Sequence, residues 1–295
     1  MRRDISSMLV RSALGLCFVL HTYCTGQIAV GQGQNPAKDP LAVITLKPYL
    51  GDLVAIDVTV GDSTLPFLFD TGGGITCITP ELAASAGCIP FGRLTGYRSI
   101  GERLDMQRCG SMQFSIGSAD LEVEPGVFDL MSLIKKQGDV SAVGGMVSLD
   151  LFDDRLITLD FARHTLVIES SASLAERVKS MNPLSVRFSR QAGGAALDIF
   201  VEVKAKTGTI WLELDSGNAG PVRLSPHAIR QLGIDASLND RLPIALDISG
   251  LGPMPNEAYV DERNIDGLLN TIFLKDILLS VDFSSGRAWA IKNTD

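Results

Sequence analysis

Two apolar stretches that each end in Asp, a hydroxyl residue and Gly dominate this chain: Phe69-Asp70-Thr71-Gly72 and Leu214-Asp215-Ser216-Gly217. A carboxylate at the end of a hydrophobic strand is expensive to bury without partners. Two such loops, one opening each half, point to a duplicated fold in which the carboxylates share an environment.

The flanks repeat as well. Val54, Ile56, Val58 and Val60 alternate with Ala55, Asp57 and Thr59, the period of a half-buried strand. Gly61-Asp62-Ser63 is a turn signal, and Leu65 to Phe69 returns as a strand ending at Asp70. In the second half Leu197 to Val203, Lys206-Thr207-Gly208 and Ile210 to Leu214 repeat this plan. Thr79-Pro80 and Ser225-Pro226 each put a capping hydroxyl before a proline at the first helical position. Gly87 and Gly233 are the matching helix stops. Both halves close alike, with Ile157 to Phe161 then Thr165 to Ile168, and Leu279 to Phe283 then Arg287 to Ile291. Asp160 and Asp282 precede turns there and read as turn-forming residues. The first half is longer between helix and closing strands, and the surplus is placed at residues 91–114.

Composition narrows the function class. Among 295 residues the net charge is −8, so no basic footprint for nucleic acid exists. Arg2 and Arg3, a mostly apolar run from Met8 to Leu20 and the small residues before Gln27 read as a secretory signal peptide cleaved near Gly26. The run is short for a membrane span, and the mature protein is expected outside the cytoplasm with no stable membrane span. Cys17 and Cys24 lack the small residues that precede a lipid-modified cysteine. Removal of the leader leaves Cys77, Cys88 and Cys109. One bridge among them is allowed, and sequence does not choose the pair. The three histidines are scattered and no Cys-x-x-Cys occurs, so neither metal nor cofactor is expected. Gly31-Gln32-Gly33 and Gly72-Gly73-Gly74 lack the spacing of a phosphate loop.

With these residues in hand, the chain resembles the aspartic peptidases of the pepsin/retropepsin type, in the bacterial two-lobed, retropepsin-like form. The resemblance runs from about Leu41 to Ile291. It implies a mainly β fold of two homologous retropepsin-like barrel lobes with short helices. The expected layout is a signal peptide over 1–26, a linker over 27–40, a first lobe over 41–170 with a flap, a linker over 171–185 and a second lobe over 186–295. It implies a catalytic pair, Asp70 and Asp215, that shares one proton and activates one water against a peptide bond. Thr71, Gly72, Ser216, Gly217 and Asn218 would support the pair, with Thr71 and Ser216 hydrogen-bonding across the two loops. The surplus would be a flap with its tip at Gly96 to Gly101, where Tyr97, Arg98, Ser99, Ile100 and Gly101 meet substrate. The second half shows no equivalent flap. The expected partner is a peptide or protein substrate of a monomeric enzyme.

Four positions depart from the pattern. Gly73 stands where a small or hydroxyl residue follows the first Asp-Thr-Gly, and Asn218 follows the second triplet. Two hydrophobic residues and a glycine should pack behind each loop, and here Met146-Val147-Ser148 and Leu268-Leu269-Asn270 replace that glycine, unless Ala142-Val143-Gly144 supplies it in the first half. A side chain there would displace the loop, whereas Asn218 would donate to a carboxylate. Two other readings stay open: a non-catalytic protein that holds extended peptides in the same cleft, and a structural β-repeat domain.

Overall fold

The strand expected from the alternation at Val54 is present as Val54–Val60, paired antiparallel with Ser63–Phe69 so that Val54 faces Phe69. The structure, a computed structural model, describes residues 38–134 and 141–293. The expected signal peptide and residues 27–37 of the linker lie outside them. The second half repeats the hairpin as Asp198–Ala205 and Gly208–Leu214, with Phe200 opposite Glu213.

The molecule is mainly β, with two β lobes joined by a shared sheet. In the first lobe, Gly145–Val147 pairs parallel to Ser63–Phe69, and Cys77–Ile78 lies beside it. In the second, Gly267–Leu269 pairs parallel to Gly208–Leu214, with Val222–Leu224 alongside. The second sheet closes on itself, because Asp198–Ala205 also pairs with Arg241–Ile248. The lobes join where Leu156–Asp160 pairs antiparallel with Ile277–Asp282, at the centre of a six-stranded sheet. The Thr158 and Ser280 hydroxyls hydrogen-bond at 2.7 Å across that seam, so its buried polar atoms are satisfied.

Local chemistry sets the helices. Thr79 accepts from the Leu82 N–H ahead of helix Pro80–Ser85, and Ser225 accepts from the Ala228 N–H ahead of Pro226–Leu232. Gly233 ends the latter at φ 71°, a conformation open to glycine without steric cost. Asp160 and Asp282 serve their turns, accepting from the N–H groups of Arg163 and Ser285. The first core is aromatic: Phe69 stacks on Phe161 and Phe67 meets Phe114 edge-on. The second is mostly aliphatic, with Val201, Val203, Ile210, Leu212 and Leu214 fully or almost fully buried.

Two expectations are sharpened. The bridge is Cys88–Cys109, which ties the end of the first helix to the end of strand Arg103–Arg108, and Cys77 is a buried thiol. The surplus of the first half is divided rather than confined to residues 91–114. The hairpin Arg241–Ile248 and Gly252–Val260 matches the first-half run Arg103–Val127, because both end in a strand parallel to the one after the Asp loop. Strand Phe91–Tyr97 is therefore one unmatched piece. The other piece is residues 128–144, where the second half has only 261–266.

Candidate active site

Both Asp-containing loops leave a central strand of their lobe and meet at the lobe junction. The first strand of each hairpin delivers the apolar packing, and the second delivers the carboxyl. Gly72 N–H donates to Asp70 Oδ1 at 2.9 Å, and Gly217 N–H donates to Asp215 Oδ1 at 2.8 Å and to Asp70 Oδ1 at 3.1 Å. The two glycines are required for the approach. A Cβ on Gly72 would stand 2.8 Å from Asp215 Cγ, and one on Gly217 would stand 2.5 Å from Asp70 Oδ2. Each loop thus passes over the other loop's carboxyl.

The hydroxyl residues lock this arrangement. Thr71 N–H donates to Ser216 Oγ at 2.9 Å, and Ser216 N–H donates to Thr71 Oγ1 at 3.0 Å. Each hydroxyl then donates onward, Thr71 to Leu214 O at 2.6 Å and Ser216 to Phe69 O at 3.1 Å. Four reciprocal bonds between buried groups fix the relative position of the loops.

Gly217 N–H is shared between Asp70 Oδ1 and Asp215 Oδ1, which sets the two carboxyls side by side. Burial pushes Asp70 above the ordinary carboxylate range, against the N–H donors of Gly72 and Gly217. Burial and then the charge of Asp70 push Asp215 well above it. Two carboxyls in contact cannot both ionise readily, so the pair keeps a proton where isolated carboxyls would have lost theirs.

The departures are accommodated by exchange. Ser148 fills the space that a side chain at residue 73 would need: a Cβ on Gly73 would stand 2.4 Å from Ser148 Oγ and 2.6 Å from Met146 Cε. The lost glycine behind the loop is matched by a gained glycine within it, and the loop is not displaced. The close backbone passage falls three residues earlier, where a Cβ on Gly145 would stand 2.0 Å from Cys77 O and one on Gly267 2.1 Å from Arg223 O. These glycines occupy matched positions in the two halves, a repeat legible in the sequence. Asn218 does not reach a carboxylate. Its amide donates to Pro221 O at 3.1 Å and its Oδ1 accepts from Gly220 N–H at 3.2 Å, which braces the loop locally. Asn270 caps helix Thr271–Lys275 through Phe273 N–H and donates to Gly220 O at 2.8 Å. Asp150 pins the end of the first loop, accepting from Thr76 N–H at 2.9 Å and from its hydroxyl at 2.6 Å. Burial pushes Asp150 up to about 6.

The residues expected to form the flap tip lie at the turn of a hairpin between Phe91–Tyr97 and Arg103–Arg108. Gly101 takes φ 82°, and Arg98 pairs with Glu102 at 2.7 Å. The tip is docked on the second lobe through Ser99: its carbonyl accepts from Asn264 N–H at 2.9 Å and its hydroxyl from Arg263 Nη1 at 2.5 Å. Arg263 is held by Asp261 at 2.6 and 2.8 Å. Tyr97 and Ile100 remain exposed. The sequence reading missed Arg263 and Asn264, since a docking partner on a link between strands leaves no pattern. Among the described residues no group of three or more His, Cys, Asp or Glu is placed to hold a metal ion.

No protein-family model matches the chain, and no curated protein matches it. Among solved structures it is similar to basic 7S globulin from soybean, at 9% identity and TM-score 0.56, over 85% of this chain and 95% of that one. At that identity the likeness speaks for the fold alone, which is pepsin-like and two-lobed.

Proposed function

We propose that this chain is an aspartic endopeptidase in which Asp70 and Asp215 activate one water against a peptide bond. The observation that carries the reading is the contact of two half-buried carboxyls, each bonded by a glycine N–H at the meeting point of two repeated loops. The ionised carboxyl takes a proton from water as its oxygen attacks the carbonyl carbon, and the protonated one donates to the carbonyl oxygen. Collapse of the tetrahedral species breaks the C–N bond, and the leaving amine takes a proton from the dyad. The Thr71–Ser216 lock holds both carboxyls within the narrow tolerance that this exchange demands.

Peptide holding without cleavage is the other reading of the same cleft. Its motive is the altered Gly73, Ser148 and Asn270, and the Gly73–Ser148 exchange favours catalysis over it. Digestion of a peptide library across pH tests the proposal. Wild type is expected to cleave at acidic pH with a bell-shaped profile, and Asp70→Asn and Asp215→Asn are each expected to abolish cleavage while the fold survives. Turnover near wild type in either variant would sink the shared-dyad mechanism, and a chelator is expected to leave activity unchanged.

The layout of signal peptide, linkers and two lobes, the monomeric state and export from the cytoplasm are part of the same proposal. The Cys88–Cys109 bridge supports export, because disulfides persist in oxidising compartments.

A further inference from the structure

The second-half hairpin carries two carboxyls that the dyad does not use. Phe200 lies opposite Glu213, so Asp198 and Glu213 share the hairpin face that ends at Asp215. Two residues before the first aspartate the corresponding position is Leu68. Asp198 is 3% exposed and Glu213 7%, and the register makes them diagonal neighbours on that face, close enough for each carboxyl to shift the other. Among the described residues neither forms an ion pair with a cation. Carboxyls this close need a proton between them, since two buried like charges are strongly unfavourable.

The pair touches the catalytic loop. Gly74 lies so close that a Cβ there would stand 3.2 Å from Asp198 Oδ1, and Leu197 N–H donates to Gly74 O at 2.9 Å. Gln191 Nε2 reaches Asp198 Oδ2 at 3.5 Å. The charged groups facing the pair are Asp70 and Asp150 from the first lobe, Asp215 at the end of the same strand and Arg263 from the 261–266 link. Arg187 on the neighbouring strand lies instead over the Trp211 ring, at 4.0 Å.

We propose that Asp198 and Glu213 are positioning residues that hold one shared proton beside the dyad and thereby keep the first catalytic loop seated on the second lobe. The proposal rests on the peptidase reading for its effect on turnover, but not for the pair itself. Loss of the proton sets two negative charges against each other and against Asp70 and Asp215, and the seat at Gly74 loosens. Burial, then the charges of Asp70 and Asp150, push Asp198 up to about 7, and burial followed by the charge of Asp198 pushes Glu213 well above its usual range. The seated form is therefore the acid form.

The test is the double variant Asp198→Asn, Glu213→Gln, whose amides hydrogen-bond each other with no proton to lose. Two readouts are taken against pH, the rate of peptide cleavage and the denaturant midpoint of unfolding. The alkaline limb of the rate profile is expected to move up by about one pH unit or more, with the acid limb unmoved. The wild-type fall in midpoint between about pH 4 and pH 7 is expected to flatten. Superimposable pH dependence of unfolding in variant and wild type would overturn the pair. If no form cleaves peptide, the peptidase reading fails while the unfolding arm still decides. If the amide variant does not fold, Asp198→Leu with Glu213→Leu, which copies Leu68 of the first lobe, carries the same unfolding test.

Discussion

Gly73 and Ser148 occupy one space between them, and neither can be judged alone. Gly73→Ser introduces a Cβ 2.4 Å from Ser148 Oγ, and overpacking of this kind costs about 1–3 kcal/mol. Adding Ser148→Gly removes the clashing hydroxyl, which has no hydrogen-bond partner. The double variant is expected to recover most of the lost stability, read as a non-additive cycle in urea unfolding. Additive losses would show that the two positions are independent. Gly145 and Gly267 differ in kind, because a Cβ at either meets backbone carbonyl oxygen, which has no rotamer to yield. Ala at either is expected to cost about 3 kcal/mol or more. Cys77 is the opposite case. Burial pushes its thiol up to about 12, so alkylation of the folded protein should be slow.

Among the elements, the hairpin Phe91–Tyr97 and Arg103–Arg108, proposed as the flap, is the one whose behaviour turns on a few contacts. Ser99 is its link to Arg263, and Arg263 keeps its Asp261 partners if that link is lost. Ser99→Ala is therefore expected to weaken the closed flap by about 0.5–1.5 kcal/mol, raising KM or lowering turnover with the global unfolding midpoint nearly unchanged. Deletion of Tyr97 to Ile100 is expected to cost turnover far more than stability, because closure of such a hairpin excludes water and positions the scissile bond. Equal turnover after deletion would make the segment a surface insertion. The Cys88–Cys109 bridge, with a sequence separation of 21, anchors the base of this hairpin. Its removal by paired Ser substitutions is expected to cost about 2–4 kcal/mol, read as a lowered denaturation midpoint.

For the whole molecule, the buried carboxyls set the response to pH. Asp150 at about 6, Asp198 at about 7 and the raised Asp70, Asp215 and Glu213 all lie above the unfolded range near 4. A raised carboxyl stabilises the fold fully below its unfolded pKa and loses that contribution as pH rises through its folded value. Stability is thus expected to decline from about pH 4 to pH 7. Asp105, Glu176 and Asp282 are lowered and act in the opposite sense. Asp105 and Glu176 do so as exposed groups whose pairs are screened by solvent. Denaturant midpoints measured across that range check the sign, and a rise with pH would contradict it.

The repeat, the strand alternation, the helix caps and the two Asp loops were legible in the amino-acid order, because each rests on neighbours within a few residues. Periodicity identifies a strand, a hydroxyl before proline identifies a helix start, and a carboxyl after an apolar run marks a site. The short second-half link between Val260 and Gly267 hid its role, since Arg263 and Asn264 matter only once Ser99 lies beside them. Ser148 reads as a defect until Gly73 is found across from it. Asp198 and Glu213, 15 positions apart in the chain, look like ordinary strand residues until pairing turns both onto the face of Asp215. The choice of Cys88 with Cys109 likewise waited on distance, with Cα atoms 5.9 Å apart. What the order of residues determined by itself was the duplicated fold and the carboxyl that each half contributes. What only tertiary structure decided was which distant groups compete for one volume or one proton, because burial and contact arise from packing between segments that local sequence does not relate.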